Sequence, residues 1–110
     1  MHFCLTGQYT PQALKSLMEN PGTNRSEAAR KSIEAVGGKL IGMYGMPAEG
    51  PGVLVIFDVP DPNAAAAISG VVIATGALHN VKLLRLLTMD EVGQVRQLAS
   101  KAHAAYKPPG

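Results

Sequence analysis

Four stretches of the sequence show the hydrophobic pattern of β-strands. They cover residues 2–9, 39–46, 53–57 and 79–87. In the first, Phe3 and Leu5 alternate with Cys4 and Thr6, which predicts that the two pairs lie on opposite faces of a sheet. The third stretch reads VLVIF and is apolar on both faces, so we expect it to lie in the centre of the sheet.

The second and fourth strands divide their side chains in the same way. Strict alternation places Leu40 and Tyr44 together on one face of the second strand and Met43 on the other. In the fourth strand, Arg85 and Leu84 face opposite ways, and apolar residues occur on both sides. We therefore expect both faces of the fourth strand to be covered.

Helical stretches lie between these strands. An N-cap residue followed by proline begins two of them, at Thr10-Pro11 and at Asp61-Pro62. Another covers residues 24–36 and ends at a pair of glycines, which is a typical helix-stop signal.

A last helix is predicted after Thr88, because Thr88 and Glu91 match a capping box. Its apolar residues recur at helical spacing, which indicates a face that packs against other residues. The residues that we expect to be buried are Val92, Val95 and Ala99, followed by Ala102 and Tyr106.

The predicted order of elements is strand, two helices, strand, strand, helix, strand, helix. Two β-α-β halves joined by a hairpin are typical of the ferredoxin-like split βαβ fold. We therefore predict an α+β protein with a four-stranded antiparallel sheet in the order 4-1-3-2, helices on one face and an extra C-terminal helix. Residues 1–106 form this single domain, and residues 107–110 form a loose tail.

The sheet face without helices is expected to carry too many apolar side chains to remain in water. The residues that could face this side include Leu84, Leu86, Val55 and Phe57. Because a monomer rarely exposes such a patch, we expect two sheets to pack together in a homodimer or a higher oligomer.

Composition narrows the functional classes. The 110 residues include 10 Lys and Arg and 8 Asp and Glu, and the net charge of +2 does not favour nucleic acid. One cysteine, Cys4, excludes an intramolecular disulfide and fits a reducing compartment. Since the sequence shows neither a signal peptide nor an apolar run of membrane-spanning length, we predict a soluble cytoplasmic protein without a membrane partner.

Several side chains with functional chemistry are predicted to gather at one edge of the sheet. In the antiparallel order, the first and second strands end where the third and fourth begin, which brings together Tyr9, Met46, Glu49 and His79. His79 is the best candidate for an acid or base, but as a single histidine without a positioned partner it is better explained as a cap on the preceding turn. Tyr9 and Tyr44 could orient a substrate or simply pack, and Met46 could line an adaptable pocket or belong to the core.

Arg85 lies in the middle of a mainly apolar strand face, where its charge requires a partner. An ion pair with Asp58 and the binding of an anionic ligand both satisfy this requirement.

The candidate metal ligands are scattered. His2, Cys4 and His79 have suitable chemistry, but the predicted strands hold them at opposite ends of the sheet within one subunit. His103 stands alone in the last helix. We therefore predict neither a metal nor another cofactor.

Four stretches resemble the GYD family of small proteins. They are GQYTP at residues 7–11, ARKSIEAVGGK at 29–39, the hairpin strand ending in VPD at 59–61, and TGALHNV at 75–81. The resemblance implies a ferredoxin-like fold of the dimeric α/β-barrel group, which includes cofactor-free oxygenases, small isomerases and ligand-binding or structural domains. The Gly-Tyr-Asp motif that names the family falls on Gly50-Pro51-Gly52, so its phenol and carboxylate are missing, although Glu49 could supply a carboxylate nearby.

Three functions are compatible with these features. The first is a non-enzymatic homo-oligomer that binds a small apolar or aromatic molecule. The second is a cofactor-free oxygenase or isomerase, with His79 as the base and Tyr44 or Tyr9 positioning the substrate. The third is a purely structural self-association module. The candidate ligand-binding residues are Tyr9, Tyr44, Met46, Glu49, His79 and Arg85.

Overall fold

The computed structural model describes residues 1–47 and 50–110 and contains the predicted order of strands and helices. The strands are β1 (His2–Tyr9), β2 (Lys39–Met46), β3 (Gly52–Asp58) and β4 (Leu78–Leu86). The helices are α1 (Pro11–Glu19), α2 (Arg25–Ala35), α3 (Pro62–Ala74) and α4 (Met89–Ala105).

The helices begin where the sequence predicts because polar side chains cap them. The Oγ1 of Thr10 accepts a hydrogen bond of 3.2 Å from a backbone N–H in the first turn of α1. A carboxylate oxygen of Asp61 accepts a similar bond of 2.9 Å at the start of α3. At the start of α4, Thr88 and Glu91 form the predicted reciprocal capping box.

The four strands form one antiparallel sheet in the order β2-β3-β1-β4, which is the predicted order read from the other edge. The α+β ferredoxin-like fold is therefore confirmed. Strand β3 pairs with β1 on one side and with β2 on the other, so the stretch that is apolar on both faces is an inner strand, as predicted.

The hydrophobic core lies between the sheet and helices α2 and α3. Phe57 from β3 and Ile33 from α2 are the largest fully buried side chains among the described residues. The Phe57 ring stacks on the Phe3 ring, with the two ring centroids 6.1 Å apart. The other buried members of the core are Leu5, Val53, Val55, Val59, Ala65, Ile68 and Leu78.

Two expectations about strand faces were wrong. Val55 and Phe57 belong to the core beneath the helices. Because side chains alternate along β3, Ile56 faces the side of the sheet that has no helices, which we call the open face. In β2 the register shifts between Leu40 and Gly42, and the shift breaks the alternation. Alternation predicted that Leu40 shares a face with Tyr44, but Leu40 packs against the core.

The expectation that the last helix is buried was also wrong. None of the residues 89–105, all of which the structure describes, is buried. The molecule measures 59 × 34 × 22 Å and has a radius of gyration of 17.7 Å, whereas about 13 Å is typical of a compact chain of this length. A helix of 17 residues is about 26 Å long, so α4 projects from the body and explains the elongated shape.

Candidate functional site

A cavity of about 190 Å³ lies between the helix-covered face of the sheet and helices α2 and α3. We call it the helix-side cavity. Its floor is formed by mainly apolar side chains from all four strands, and its walls come from the two helices. The residues that line it on the sheet side include Leu5, Tyr9, Met43, Val53, Val55, Phe57 and Leu78.

Short side chains on α2 leave this space unfilled. Ala28, Ala29 and Ser32 line the helix-side cavity from one face of α2. Because close packing is the rule in protein interiors, larger residues at these positions would occupy the space. Ala28 and Val71 line the cavity and are also exposed, so it opens to the surface between α2 and α3.

Four polar side chains line the otherwise apolar helix-side cavity: Tyr9, Arg25, Ser32 and Thr75. Arg25 lines the cavity, is exposed and is the first residue of α2, so the lining reaches the surface at this residue. Among the described residues, Arg25 forms no ion pair. The cavity therefore combines an apolar interior with a cationic group at its mouth.

A second cavity, of about 560 Å³, opens at the edge of the sheet where β1 and β2 end. Thr6 and Gln8 line it. Because they alternate along β1 with the core residue Leu5, they lie on the face of the sheet that has no helices, and we call this space the open-face cavity. The β1–β4 register shifts between Thr6 and Gln8, and Asn80 beside it adopts a φ of 51°. Asparagine tolerates this left-handed conformation better than most residues. The Asn80 side-chain amide donates a hydrogen bond of 2.8 Å to the Oε1 of Gln8.

The predicted edge residues do lie at one edge of the sheet, but on different faces. Strand pairing sets Gln8 opposite both Gly52 and His79. Tyr9 lines the helix-side cavity, whereas Met46 lines the open-face cavity. His79 is exposed and lines neither of the two. The sheet itself thus separates side chains that the sequence suggested would act together.

Of the two tyrosines proposed to act with His79, Tyr44 is not brought to it. Tyr44 is 62% exposed, pairs with Leu54 of β3, and lines neither cavity. Glu49 lies outside the described residues. Among the described residues, no hydrogen bond positions the His79 imidazole.

Arg85 has a structural partner, but not the expected one. Its guanidinium forms an ion pair of 2.9 Å with Glu91 and lies 5.7 Å from the centroid of the Phe3 ring. Asp58 instead pairs with the N-terminal ammonium at 2.8 Å. The backbone N–H of Thr88 and then the Arg85 guanidinium lower the pKa of Glu91. Arg85 therefore links β4 to the first turn of α4, and it lines neither cavity.

Metal-ligating side chains do not cluster in the part of the chain that the structure describes. Within residues 1–47 and 50–110, no group of three or more His, Cys, Asp or Glu side chains could hold a metal ion. Cys4 is buried in β1, and burial raises the pKa of its thiol.

The polar groups that α2 contributes to the helix-side cavity were not predicted from the sequence. Neither Arg25 nor Ser32 was among the candidate ligand-binding residues. A signal was present, because Arg25, Ala28, Ala29 and Ser32 recur at helical spacing and form a stripe of short or polar side chains. A stripe of this kind beside the buried Ile33 indicates space between the helix and the sheet.

The antiparallel sheet, its single layer of helices and the cavity between them define a ferredoxin-like α+β domain with an internal apolar cavity. The model of the GYD domain family matches residues 3–95. The chain therefore belongs to the GYD domain family, as its motifs indicated. A comparison with curated proteins finds no match. None of the helices in the described part of the chain is long and apolar enough to cross a membrane.

Proposed function

We propose that this GYD-domain protein binds a small, largely apolar molecule in the helix-side cavity and does not transform it. The observation that carries the proposal is the cavity itself, which is apolar inside and opens between α2 and α3. Its volume of about 190 Å³ is below that of drug-sized sites but exceeds the roughly 150 Å³ of an engineered cavity in another protein that binds benzene. A molecule with a single ring therefore fits.

The polar groups of the cavity suggest what the ring carries. The apolar interior suits the ring, and the unpaired Arg25 guanidinium at the mouth suits a carboxylate or another anionic substituent. The Tyr9 hydroxyl and Ser32 could accept or donate further hydrogen bonds. Because His79 lines neither cavity, the proposal gives it no catalytic role.

The first prediction tests the cavity with benzoate as the probe. Ala29→Phe places a ring inside the helix-side cavity, and we expect benzoate affinity to fall by about tenfold or more. Saturation-transfer NMR measures the binding. Ala35→Phe is the matched control, because Ala35 lies on the same helix, is exposed and does not line the cavity.

A second variant tests how much the charge at the mouth contributes to binding, separately from the contribution of the apolar interior. Arg25→Gln should weaken benzoate but leave benzyl alcohol unchanged, since only the carboxylate meets the guanidinium. Equal benzoate binding by the wild type, Ala29→Phe and Ala35→Phe would contradict the proposal, as would an absence of binding of either probe to the wild type.

We also propose that two copies associate through the open face of the sheet, in the manner of a dimeric α/β barrel. Support comes from the apolar side chains on this face. Tyr44 is 62% and Leu84 is 51% exposed, and Ile56 lies between them on β3. The buried free thiol of Cys4 suits a reducing compartment, so we propose a cytoplasmic location.

The second prediction is that Leu84→Glu lowers the molar mass measured by light scattering twofold, because it places a carboxylate in the proposed apolar interface. Ile73→Glu is the control, since Ile73 is 54% exposed on α3 and lines neither cavity. An unchanged mass for Leu84→Glu, or a monomeric wild type, would refute this interface.

A further inference from the structure

Helix α4 presents an apolar seam that, beyond the half-buried Val92, the described part of its own subunit leaves exposed. Val92, Val95, Ala99, Ala102 and Tyr106 are separated alternately by three and four residues. This spacing is the a/d pattern of a coiled coil and keeps the first four side chains on one side of the helix, whereas Tyr106 is the C-cap residue and has an extended backbone. Val95 is 50% and Tyr106 is 64% exposed.

Local contacts hold the start of α4 and direct the seam away from the subunit. The capping box and the Arg85–Glu91 ion pair fix its first turn. Beyond that turn, residues 94–105 are all exposed. An isolated helix of this length is only marginally stable in water, so a covering surface is expected.

We propose that this surface is the α4 helix of a second copy of the chain, packed antiparallel along the same seam. The proposal is independent of both the ligand in the helix-side cavity and the sheet interface. If sheet and helix contacts both form, each copy has two different two-fold interfaces, which close into a tetramer when the two axes cross at right angles. The helix contact is short, so its formation should depend on protein concentration.

Side-chain size favours the antiparallel direction. In that direction, Val92 lies opposite Ala102 of the second copy, and Val95 lies opposite Ala99 of the second copy. Large residues then meet small ones along the whole seam, which lets the two helices interdigitate. A parallel pair would instead set Ala99 against Ala99 and Ala102 against Ala102, and would bury less apolar surface.

The residues beside the seam favour the same direction. Leu98 is 65% exposed, and only an antiparallel pair brings it next to Leu98 of the second copy at the two-fold axis. Asp90 and Glu91 lie in the first turn and His103 in the last. Antiparallel pairing sets the acidic end of each helix beside the basic end of the other and opposes the two helix dipoles.

Disulfide trapping tests both the contact and its direction. Val95→Cys and Ala99→Cys are each made in the full-length chain with Cys4→Ala, mixed in equal amounts and oxidised. An antiparallel pair joins one variant to the other, so the mixed disulfide should exceed the share expected for random pairing. Intact-mass spectrometry separates the mixed dimer from the two homodimers, because the two variants differ in mass.

Three results would overturn the proposal or its geometry. Homodimers that outnumber the mixed species would show a parallel pair. Random proportions would show collisional oxidation alone. Cross-linking no greater than that of Gln97→Cys, which points away from the seam, would show that α4 covers a different surface. Because these positions are exposed, line neither cavity and do not belong to the sheet, failure here would leave the ligand and sheet proposals untouched.

Discussion

Substitution of Gly52 by aspartate should destabilise the protein by about 3 kcal/mol or more, because the backbone of β1 lies directly against this glycine. A Cβ atom at position 52 would lie 2.3 Å from the carbonyl oxygen of Gly7 and 3.2 Å from the Cα of Gln8. Both are backbone atoms of an inner strand, so the clash is relieved only by moving β1 away from β3.

Urea unfolding measures this loss against a matched control. Gly45 lies on the neighbouring strand β2, and a Cβ atom there would meet nothing within 4 Å. Gly45→Asp should therefore cost only the intrinsic penalty of aspartate in a strand, up to about 1 kcal/mol. Equal midpoints for Gly52→Asp and Gly45→Asp would contradict the packing argument.

The same contact gives a physical reason for the degenerate family motif. Gly52 falls where the aspartate of Gly-Tyr-Asp is expected, and the close approach of Gly7 excludes any side chain there. Pro51 falls where the tyrosine is expected. It is exposed, and its carbonyl accepts a 2.9 Å hydrogen bond from the backbone N–H of Tyr9, which a tyrosine could equally accept. The fold would therefore accept the phenol of the motif at position 51 but not its carboxylate at position 52.

The fold could be predicted because local signals and periodicity agreed. The caps at Thr10, Asp61 and Thr88 marked the starts of three helices. The stretch of β3 that is apolar on both faces identified an inner strand. The face of Leu40 could not be predicted, because the register shift in β2 depends on pairing with β3 rather than on the sequence of β2. Likewise, an all-apolar strand gives no sign of which residues face the helices.

The site was harder to predict because side chains at one edge of a sheet can lie on either of its two faces. The antiparallel order correctly brings Tyr9, Met46 and His79 to one edge. Alternation alone would have placed Tyr9 with Phe3 and Leu5 on the face that the helices cover. The position of Met46 depends on the shifted register of β2, so its cavity followed only from the pairing.

The burial of helix α4 was mispredicted for a different reason. Its periodicity indicates that Val92, Val95 and Ala99 are covered, and periodicity carries no information about which chain covers them. The described part of the subunit leaves Val95 and Ala99 exposed and Val92 half-buried, which is the observation behind the proposed contact between subunits.

The last prediction concerns Phe57, which is fully buried, stacks on Phe3 and lines the helix-side cavity. Phe57→Ala should reduce the free energy of unfolding by about 3–5 kcal/mol, because a ring is removed from a packed core. The new void adjoins the existing cavity and enlarges it. Toluene should therefore bind the variant and raise its Tm more than it raises that of the wild type.

Phe3→Ala is the control for this rescue. It removes the other ring of the stacked pair, but Phe3 does not line the helix-side cavity, and the ring lies under the exposed Arg85 guanidinium. Its loss should destabilise the protein without opening a dry apolar site, so toluene should give a smaller rise in Tm. Equal rises for the two variants would mean that toluene fills whichever space is vacated, and that the cavity beneath α2 and α3 has no preference of its own for an aromatic ring.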